Sequence, residues 1–389
     1  MKKNIVILGS TGSIGKTLLN IISKDKKKFN VLLLSAHKNY KMLFKQAKKF
    51  NVKNIIITDS KYFKIAKSKN ISKKINIFNN FNIFNKIFKK KIDYVMSAIV
   101  GLEGLEPTYK VIKHTKIIAI ANKESIICGW NLIKKRLQKY RTQFIPVDSE
   151  HFSIWYALNA KDMKDVKKIY LTASGGPLLN IAKNKYKNLS IKKILKHPNW
   201  KMGKKISTDS STMMNKVFEI VEAKNIFNLK YDQLEIVIHP KSYVHAIIKY
   251  SDGVIKIIAH DTTMEIPIHN SIYFDENKPI KTNDIDFKKL NNLNFQKIDT
   301  KKFTSVKILK KLPRTTSLFE TVMVATNDEL VKKFLEKKIT FSELNIFIYK
   351  IISRKEFIKF KYISPINVSQ VVKLSNYVRN KINALYSLN

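Results

Sequence analysis

Cysteine is almost absent from the 389-residue chain, which contains one, Cys128. A lone cysteine cannot form an internal disulfide, which excludes a disulfide-stabilised secreted domain and fits a reducing compartment. Ile126, Ile127 and Trp130 surround Cys128 in the sequence. This apolar neighbourhood favours a buried structural cysteine over a nucleophile.

Long apolar runs are also missing. No stretch approaches the ~20 residues that span a bilayer, and the first predicted strand begins at Asn4, which leaves no room for a signal or transit peptide. We therefore expect a cytoplasmic protein with no membrane partner. Hydrophobic residues make up 44% of the chain and aromatic residues 11%, as in folded globular proteins rather than disordered ones.

Acidic residues and arginine are scarce. Asp and Glu number 29 against 74 Lys and Arg, so the formal net charge is +45. A basic nucleic-acid-binding protein is therefore one alternative. Base readout and phosphate clamping favour arginine, however, and the excess is nearly all lysine, spread along the whole chain. Lys, Asn and Ile are enriched together, as an AT-rich genome would impose, so we predict no nucleic-acid partner.

Three of the ten glycines follow the first apolar run. Residues 4–8 (NIVIL) predict a strand, Gly9, Gly12 and Gly15 punctuate the next seven residues, and residues 16–22 predict a helix. Strand, glycine turn and helix in this order are typical of the start of a Rossmann-like unit, where backbone N–H groups face a pyrophosphate. The spacing is G-x-x-G-x-x-G, so a purely structural turn is the alternative.

The following apolar runs predict a parallel sheet. Residues 31–34, 54–58, 94–100, 116–120 and 144–147 alternate with helical or polar segments. The fold class is therefore α/β. Lys38 follows the second strand, where an acid would take the ribose hydroxyl of NAD and a cation accommodates the 2′-phosphate, so Lys38 favours NADP(H).

Polar residues end the last two of these strands. ANKES at 121–125 falls where doubly wound sheets bind ligands, although a plain loop is the alternative. DSEH at 148–151 places carboxylates at Asp148 and Glu150, which predicts oxygen ligands for Mg²⁺ or Mn²⁺. A helix N-cap explains the same four residues.

The segment 197–223 mixes a His-Pro turn, a tryptophan, hydroxyls and charges. On one helix Asn215, Lys216 and Glu219 would share a face, which suggests a phosphorylated substrate and a metal, whereas a capped helix with a solvated face is the alternative. We predict a mobile lid at 197–203 and one helix carrying Ser210 to Glu219.

The rest of the chain predicts strands and then helices. Residues 235–238, 246–250 and 254–258 predict antiparallel strands, and residues 273–300 lack periodicity and predict a linker. Residues 317–326, 329–337, 342–352 and 368–388 predict a small helical domain.

Taken together, these segments resemble the 1-deoxy-D-xylulose 5-phosphate reductoisomerases. The similarity rests on ILGSTGSIG, AIANKES, PVDSEH, SGGP, HPNW with MMNK and its following glutamate, IHPKSYVH and ATNDE, in that order. The resemblance implies an NADPH- and divalent-metal-dependent oxidoreductase of non-mevalonate isoprenoid biosynthesis. It would use Mg²⁺, Mn²⁺ or Co²⁺ to rearrange and reduce 1-deoxy-D-xylulose 5-phosphate to 2-C-methyl-D-erythritol 4-phosphate, as a homodimer.

The resemblance also implies an architecture. Residues 1–148 would form an NADPH-binding Rossmann-like domain and residues 149–272 an α+β catalytic domain with the metal site and a flexible flap. Residues 273–300 would be a linker, and residues 301–389 a C-terminal helical domain.

Roles for individual residues come from the same resemblance. The implied cofactor-binding residues are Thr11, Gly12, Ser13, Ile14, Lys38, Asn39, Asn122, Glu124 and Gly203. The implied metal ligands are Asp148, Glu150 and Glu219, which with Lys123 are the implied catalytic residues. The implied substrate-binding residues are Lys123, Ser149, Glu150, Ser174, His197, Trp200, Ser210, Asn215, Lys216 and Glu219. Trp200 and Met202 would lie on the flap.

The chain departs from the family pattern at a few positions. His37, Ala173 and Val217 stand where glycine is frequent, and Thr263 and Glu265 stand where an acid and an arginine are usual. An ordinary NADP-dependent dehydrogenase of a semialdehyde or hydroxy acid is a further alternative, because it would share the glycine turn. Such an enzyme would need neither three carboxylates nor a phosphate pocket.

Overall fold

The chain divides into two compact units in the computed structural model, which describes residues 2–69, 74–158, 163–200, 202–276 and 278–386. Unit 1 comprises Met1–Ser125, Leu132–Asp148 and Met264–Ile280. Unit 2 comprises Ile126–Asn131, Ser149–Thr263 and Lys281–Asn389.

Unit 1 is built on a parallel sheet. Its strands are β1 (Lys3–Leu8), β2 (Phe29–Ala36), β3 (Asn54–Ile57), β4 (Asn76–Phe78), β5 (Ile92–Ser97), β6 (Thr115–Ile120) and β7 (Gln143–Pro146). Its helices are α1 (Ser13–Lys24), α2 (Tyr40–Phe50), α3 (Ser60–Ser68), α4 (Phe84–Ile87), α5 (Leu105–Val111), α6 (Lys123–Tyr140, shared with unit 2) and α11 (Glu265–Ile272).

The strand order in this sheet is β4-β3-β2-β1-β5-β6-β7, with every pair parallel. Helices cover both faces of such a sheet, which is why its strands read as continuous apolar runs: Ile5, Val6 and Ile7 are fully buried. The predicted Rossmann-like sheet is confirmed. The order reverses between β1 and β5, and ligands bind at such a reversal, beyond the carboxyl ends of the strands.

Helix α11 completes unit 1 from far along the chain. Ile268, Ile272 and Tyr273 belong to the same buried cluster as Leu18 and Ile22 of α1. The hydroxyl of Ser271 also lies 2.7 Å from that of buried Tyr94 in β5.

Unit 2 combines a mixed sheet with helices. Its strands are β8 (Val166–Ala173), β9 (Leu234–Ile238), β10 (Val244–Tyr250), β11 (Ile255–Ala259) and β12 (Gln296–Lys297). Its helices are α7 (Ser149–Ala157), α8 (Ile191–Ile194), α9 (Lys204–Thr212), α10 (Met214–Phe227), α12 (Phe287–Leu290), α13 (Phe319–Leu335), α14 (Phe341–Ile352), α15 (Lys355–Ile358) and α16 (Val368–Tyr386).

The sheet of unit 2 corrects one prediction. Its order is β11-β10-β8-β9-β12, and β10 is antiparallel to both β11 and β8, but β9 runs parallel to β8. Strand β9 is therefore not part of the antiparallel set that the apolar runs suggested. The helices α8 to α10 lie between β8 and β9 in the chain and supply the crossover that a parallel pair needs.

The helices also differ from the prediction at two places. The helix predicted through Ser210 and Glu219 breaks at Met213, which has a left-handed φ of 65° and separates α9 from α10. The predicted helices at 317–326 and 329–337 are one continuous helix, α13. Leu388, predicted in the last helix, lies outside the described residues. Within the described ranges, no helix is both long and apolar enough to cross a membrane.

Candidate active site

The glycine turn after β1 brings the backbone close to the end of β5. Gly9 has a φ of +85°, and a Cβ there would lie 2.5 Å from the carbonyl oxygen of Ala98. The Gly9 N–H donates to the Ser35 hydroxyl at 2.9 Å. Gly12 is the N-cap of α1 and lacks a side chain, so N–H groups in the first turn of α1 remain suited to an anion. The turn therefore fits a pyrophosphate.

Lys38 and Asn39, which the sequence predicted near the cofactor, are exposed beyond β2. The Lys38 ammonium lies 3.9 Å from Asp59, a carboxylate that the sequence alone did not place here because it follows β3. Asp59 caps α3, and hydrogen bonds from the Tyr62 and Lys61 N–H groups lower its pKa. The neighbouring His37 imidazole accepts or donates a bond with the Thr58 hydroxyl at 2.9 Å.

Asn122 links the end of β6 to the loop after β5. Its amide donates to the carbonyls of Ile99 and, at 2.8 Å, Gly101, while its Oδ1 accepts the Ser125 N–H at 2.7 Å and so caps α6. Glu124 is buried beside it, 3.3 Å from the same amide. The side chain of Asn122 thus fixes the loop that borders the glycine turn after β1.

Lys123 and Asp148 form an ion pair in unit 1. Lys123 is the first residue of α6, and Asp148 follows β7, so both lie at the carboxyl edge of the parallel sheet. Their side chains are mostly buried, at 14% and 19% exposure. A partly buried ion pair of this kind is strengthened by the reduced local dielectric.

Glu150, Lys216 and Glu219 form a buried charge cluster in unit 2. The Lys216 ammonium lies 2.7 Å from Glu150 Oε1 and pairs with the Glu219 carboxylate one turn along α10. Asn215 donates its amide to the other Glu219 oxygen, and the Ser149 hydroxyl donates to Glu150 at 2.6 Å. The predicted shared helix face of residues 215, 216 and 219 is present.

The ammonium of Lys216, at the centre of this cluster, has a shifted pKa. Burial acts to lower the pKa of Lys216, but the Glu150 and Glu219 carboxylates outweigh it and raise that pKa above its ordinary value. Lys216 is therefore a permanent cation. Two carboxylates, an amide and an ammonium on rigid helices suit substrate oxygens and a hard cation.

Ser174 and His197 are coupled by a hydrogen bond. His197 Nε2 lies 3.1 Å from the Ser174 hydroxyl, and its Nδ1 accepts the N–H groups of Asn199 and Trp200. With Nδ1 accepting, Nε2 carries the proton and donates to Ser174. Burial, with help from Lys216, lowers the pKa of His197 to about 4. The Ser174 oxygen also accepts the Gly176 N–H at 3.0 Å, so its own proton is left to donate.

The predicted lid is anchored at its centre. Asn199 donates to the Pro240 carbonyl at 2.7 Å and to the Ser242 hydroxyl at 2.8 Å. Trp200 packs edge-on against the His245 ring, with centroids 6.2 Å apart. Lys201 lies outside the described residues, Met202 is half-buried, and Gly203 is the exposed N-cap of α9.

Comparison with known proteins gives the family. A family model described as 1-deoxy-D-xylulose 5-phosphate reductoisomerase matches residues 5–129, and models of its C-terminal domains match 144–227 and 261–381. A reductoisomerase of this name from Pelagibacter ubique (strain HTCC1062) is 56% identical over 385 residues, covering 98% of this chain and 99% of its own. The chain belongs to the 1-deoxy-D-xylulose 5-phosphate reductoisomerase family.

Solved structures agree with this membership. A DOX-P reductoisomerase in complex with NADPH, fosmidomycin and magnesium has a TM-score of 0.90 at 28% identity, covering 99% of this chain and 98% of its own. The reductoisomerase from Zymomonas mobilis in complex with NADPH has a TM-score of 0.87 at 28% identity, covering 99% of both chains. The predicted family and fold class are therefore confirmed.

Three histidines near the charge cluster of Glu150, Lys216 and Glu219 were not among the predicted site residues. His151 is fully buried and hydrogen-bonded through Nε2 to the Glu219 carbonyl at 2.9 Å. His245 and His260 stack with their ring centroids 3.8 Å apart. The IHPKSYVH motif contained His245, but a lone sequence gives no signal that His260 lies against it.

The family departures are accommodated in different ways. Ala173 and Val217 are buried in the core, and Glu265 pairs with exposed Lys24 at 2.9 Å. Thr263 donates its N–H to the Asp261 carbonyl at 2.7 Å. His37 remains exposed at the cofactor edge.

Proposed function

We propose that this protein converts 1-deoxy-D-xylulose 5-phosphate to 2-C-methyl-D-erythritol 4-phosphate, with NADPH as reductant and Mg²⁺ or Mn²⁺ as the metal. Family membership supports the reaction, and the observation that carries it is the buried cluster of Glu150, Asn215, Lys216 and Glu219. An ordinary dehydrogenase would need no such set of hard oxygen donors beside a fixed cation.

The metal would be held by Asp148, Glu150 and Glu219. The oxygen donors of Glu150 and Glu219 are already gathered around one positive charge, that of Lys216, which supports their fit to a divalent cation. Asp148 lies two residues before Glu150, so their Cα atoms are within about 7 Å of each other. When bound, the metal supplies Lewis-acid polarisation of substrate oxygens.

Chain residues then bind and orient the substrate. Lys216 and Asn215 would donate to its anionic oxygens, Ser174 would donate its free proton, and Ser210 would bind the phosphate. Lys123, held by Asp148, would donate to the reacting oxygens and move protons there. Trp200 and Met202 would exclude water when the lid closes.

NADPH would bind at the carboxyl edge of the parallel sheet. The Gly9 cradle, where a Cβ has no room, and the N-terminus of α1 support a pyrophosphate contact through Thr11 to Ile14. Lys38 and Asn39 support recognition of the 2′-phosphate. Asn122 and Glu124 would fix the adjoining loop, and Gly203 would contact the cofactor.

We also propose that the protein is a cytoplasmic homodimer. A homodimer is supported by β11, an edge strand whose Ile255 and Ile257 are 55% and 49% exposed and which follows Val254, 47% exposed. By role, residues 1–148 would bind NADPH, residues 149–272 would carry the metal site and the flap, residues 273–300 would be a linker, and residues 301–389 a helical domain. A cytoplasmic location is supported by the lone cysteine, which is buried.

The test is NADPH oxidation with 1-deoxy-D-xylulose 5-phosphate, with and without Mg²⁺ or Mn²⁺. We expect metal-dependent turnover in the natural chain and a loss of at least ~100-fold in Glu219→Gln, because one charged ligand becomes a neutral amide. NADPH affinity, measured by fluorescence, should stay within about two-fold.

Glu320→Gln is the matched control, since Glu320 is also a fully buried glutamate of unit 2. This variant should turn over normally. If Glu219→Gln keeps near-normal, metal-dependent turnover, the metal assignment is wrong. If the natural chain consumes no NADPH under any metal condition, the proposed reaction is wrong.

A further inference from the structure

A buried carboxylate stands next to the proposed phosphate residue Ser210. Asp209 is 2% exposed and lies near the end of α9. Fully buried Asn327 of α13 donates its amide to Asp209 Oδ1 at 2.8 Å. The Lys205 ammonium, one turn earlier in α9, lies 3.2 Å from Oδ2. Both oxygens of the buried charge thus have polar partners, which offsets its desolvation.

The network continues into the last helix. Lys205 also lies 3.0 Å from Asp328 Oδ1, and Arg379 of α16 donates to Asp328 Oδ2 at 3.0 Å. Charge-assisted contacts therefore join α9 to α13, and α13 to α16. These contacts place a chain of alternating charges between the terminal helices and the helix that carries Ser210.

Ser210 is held from its other side by the SGGP turn. Gly176 has a φ of +64°, and a Cβ there would lie 3.1 Å from the Ser210 carbonyl oxygen. The same turn fixes Ser174 through the Gly176 N–H. The next residue, Ser211, donates its hydroxyl to the Ile194 carbonyl at 2.8 Å. Ser210 thus lies between the turn and the anchored Asp209.

We propose that Asn327, Asp328 and Arg379 are positioning residues for phosphate binding, an inference that rests on the proposed function. None of them would touch the substrate. Asn327 holds Asp209 directly, and Arg379 holds Asp328, which pairs with Lys205 of α9. Together they fix α9 so that the Ser210 hydroxyl and the Ser174 hydroxyl converge on one phosphate. The helical terminal domain is by this account part of the substrate site, although it supplies no ligand.

The physical reason is that a hydroxyl–phosphate contact is short and directional. A shift of about 1 Å in a binding group can cost ~100-fold in its contribution. Asp209 without its amide donor would keep one polar partner on a buried charge, and α9 would relax toward water or toward Lys205. We call Asn327, Asp328 and Arg379 the brace. Loss of the brace therefore weakens phosphate binding more than it weakens catalysis in the bound complex.

The experiment compares Asn327→Ala, Arg379→Met and Arg379→Lys in the full-length protein. We expect Asn327→Ala to raise the KM for 1-deoxy-D-xylulose 5-phosphate by ~10-fold and Arg379→Met by ~3-fold or more, with kcat within about three-fold and NADPH affinity unchanged. Arg379→Lys keeps the charge and should restore most of the KM. Inorganic phosphate, titrated by calorimetry, should lose affinity in parallel with the KM change.

Glu343→Ala is the matched control for a loss of terminal-domain stability. Glu343 accepts the Thr340 N–H at 2.7 Å in the capping box of α14, outside the network. Its removal should lower the melting temperature, as the brace variants do, without changing phosphate affinity. This control separates positioning from a general weakening of the fold.

The brace is refuted if folded Asn327→Ala binds inorganic phosphate and substrate as the natural chain does. It is also refuted if KM rises while kcat, NADPH affinity and melting temperature all fall, and Glu343→Ala behaves alike. A natural chain that binds phosphate but shows no turnover overturns the proposed reaction instead, and phosphate affinity in the variants still decides the brace.

Discussion

Buried histidines carry most of the acid sensitivity expected of this molecule. Burial, reinforced by the neighbouring His260, lowers the pKa of His245 to about 3. Its ring is stacked on His260 and meets Trp200 at its edge. An unfolded chain protonates His245 near pH 6.5, and the folded chain does not. The stabilising contribution is therefore complete above about pH 6.5 and is lost as the pH falls toward 3.

We predict that His245→Asn flattens the pH dependence of stability. Between pH 7 and pH 5 the natural chain should lose ~2 kcal/mol more than the variant, because 1.5 pH units at 1.36 kcal/mol per unit separate the two protonation states. Urea unfolding in the presence of a chelator measures this loss. His37→Asn, at an exposed imidazole, serves as the control. Equal pH slopes for natural chain and His245→Asn would contradict the prediction.

At the scale of residues, local spacing predicted which side chains share a helix face, but it did not predict the contacts between distant segments. Glu219, Lys216 and Asn215 share a face because helical spacing is a local property. Other contacts join distant segments: Asp59 lies beside Lys38, His260 stacks on His245, and Asn199 donates to the Pro240 carbonyl. Pairings of this kind depend on the tertiary fold and leave no trace in local sequence. The roles of individual residues stay predictions.

At the scale of elements, the glycine turn after β1 is the feature most exposed to substitution. We predict that Gly9→Ala destabilises the protein by at least ~1–3 kcal/mol, because the residue has a left-handed φ and a Cβ would meet Ala98 at 2.5 Å. NADPH affinity should fall by ten-fold or more, since the turn must shift. Thermal unfolding and fluorescence titration measure the two effects.

Gly12→Ala separates space from backbone strain in the same turn. Gly12 has a φ of −75°, and a Cβ would meet its nearest atom, the Gly9 carbonyl oxygen, at 3.4 Å. Its cost in stability should stay below ~1 kcal/mol. Similar losses in both variants would show that the Gly9 conformation is not what the fold requires.

Elements were predictable where one periodicity dominated. The parallel strands, buried on both faces, are continuous apolar runs. The break at Met213 was not predictable, because no Gly or Pro marks it and Met213 and Met214 are themselves good helix formers. The parallel pairing of β9 with β8 depends on the crossover between them. The lid at 197–203 within that crossover has no helical periodicity, so the sequence did not indicate a parallel pair.

At the scale of the whole molecule, the exposed edge of the mixed sheet is where we expect two copies of the chain to associate. We predict that Ile257→Lys converts a homodimer into a monomer, because it places a charge on an exposed apolar edge strand. Light scattering after gel filtration measures the mass. Ile346→Lys, at a 61% exposed isoleucine of α14, is the control and should leave the mass unchanged. A dimer that survives Ile257→Lys would place the interface elsewhere.

The return of α11 to unit 1 has a consequence for synthesis on the ribosome. All seven parallel strands have been made once residue 146 is added, yet Ile268, Ile272 and Tyr273 must still join the core around Leu18. The apolar face of α1 therefore stays uncovered while residues 149–263 are translated. That translation takes on the order of ten seconds. During that interval we expect chaperones to bind the exposed apolar surface of the nascent chain. A fragment ending at residue 148 would expose the same surface permanently.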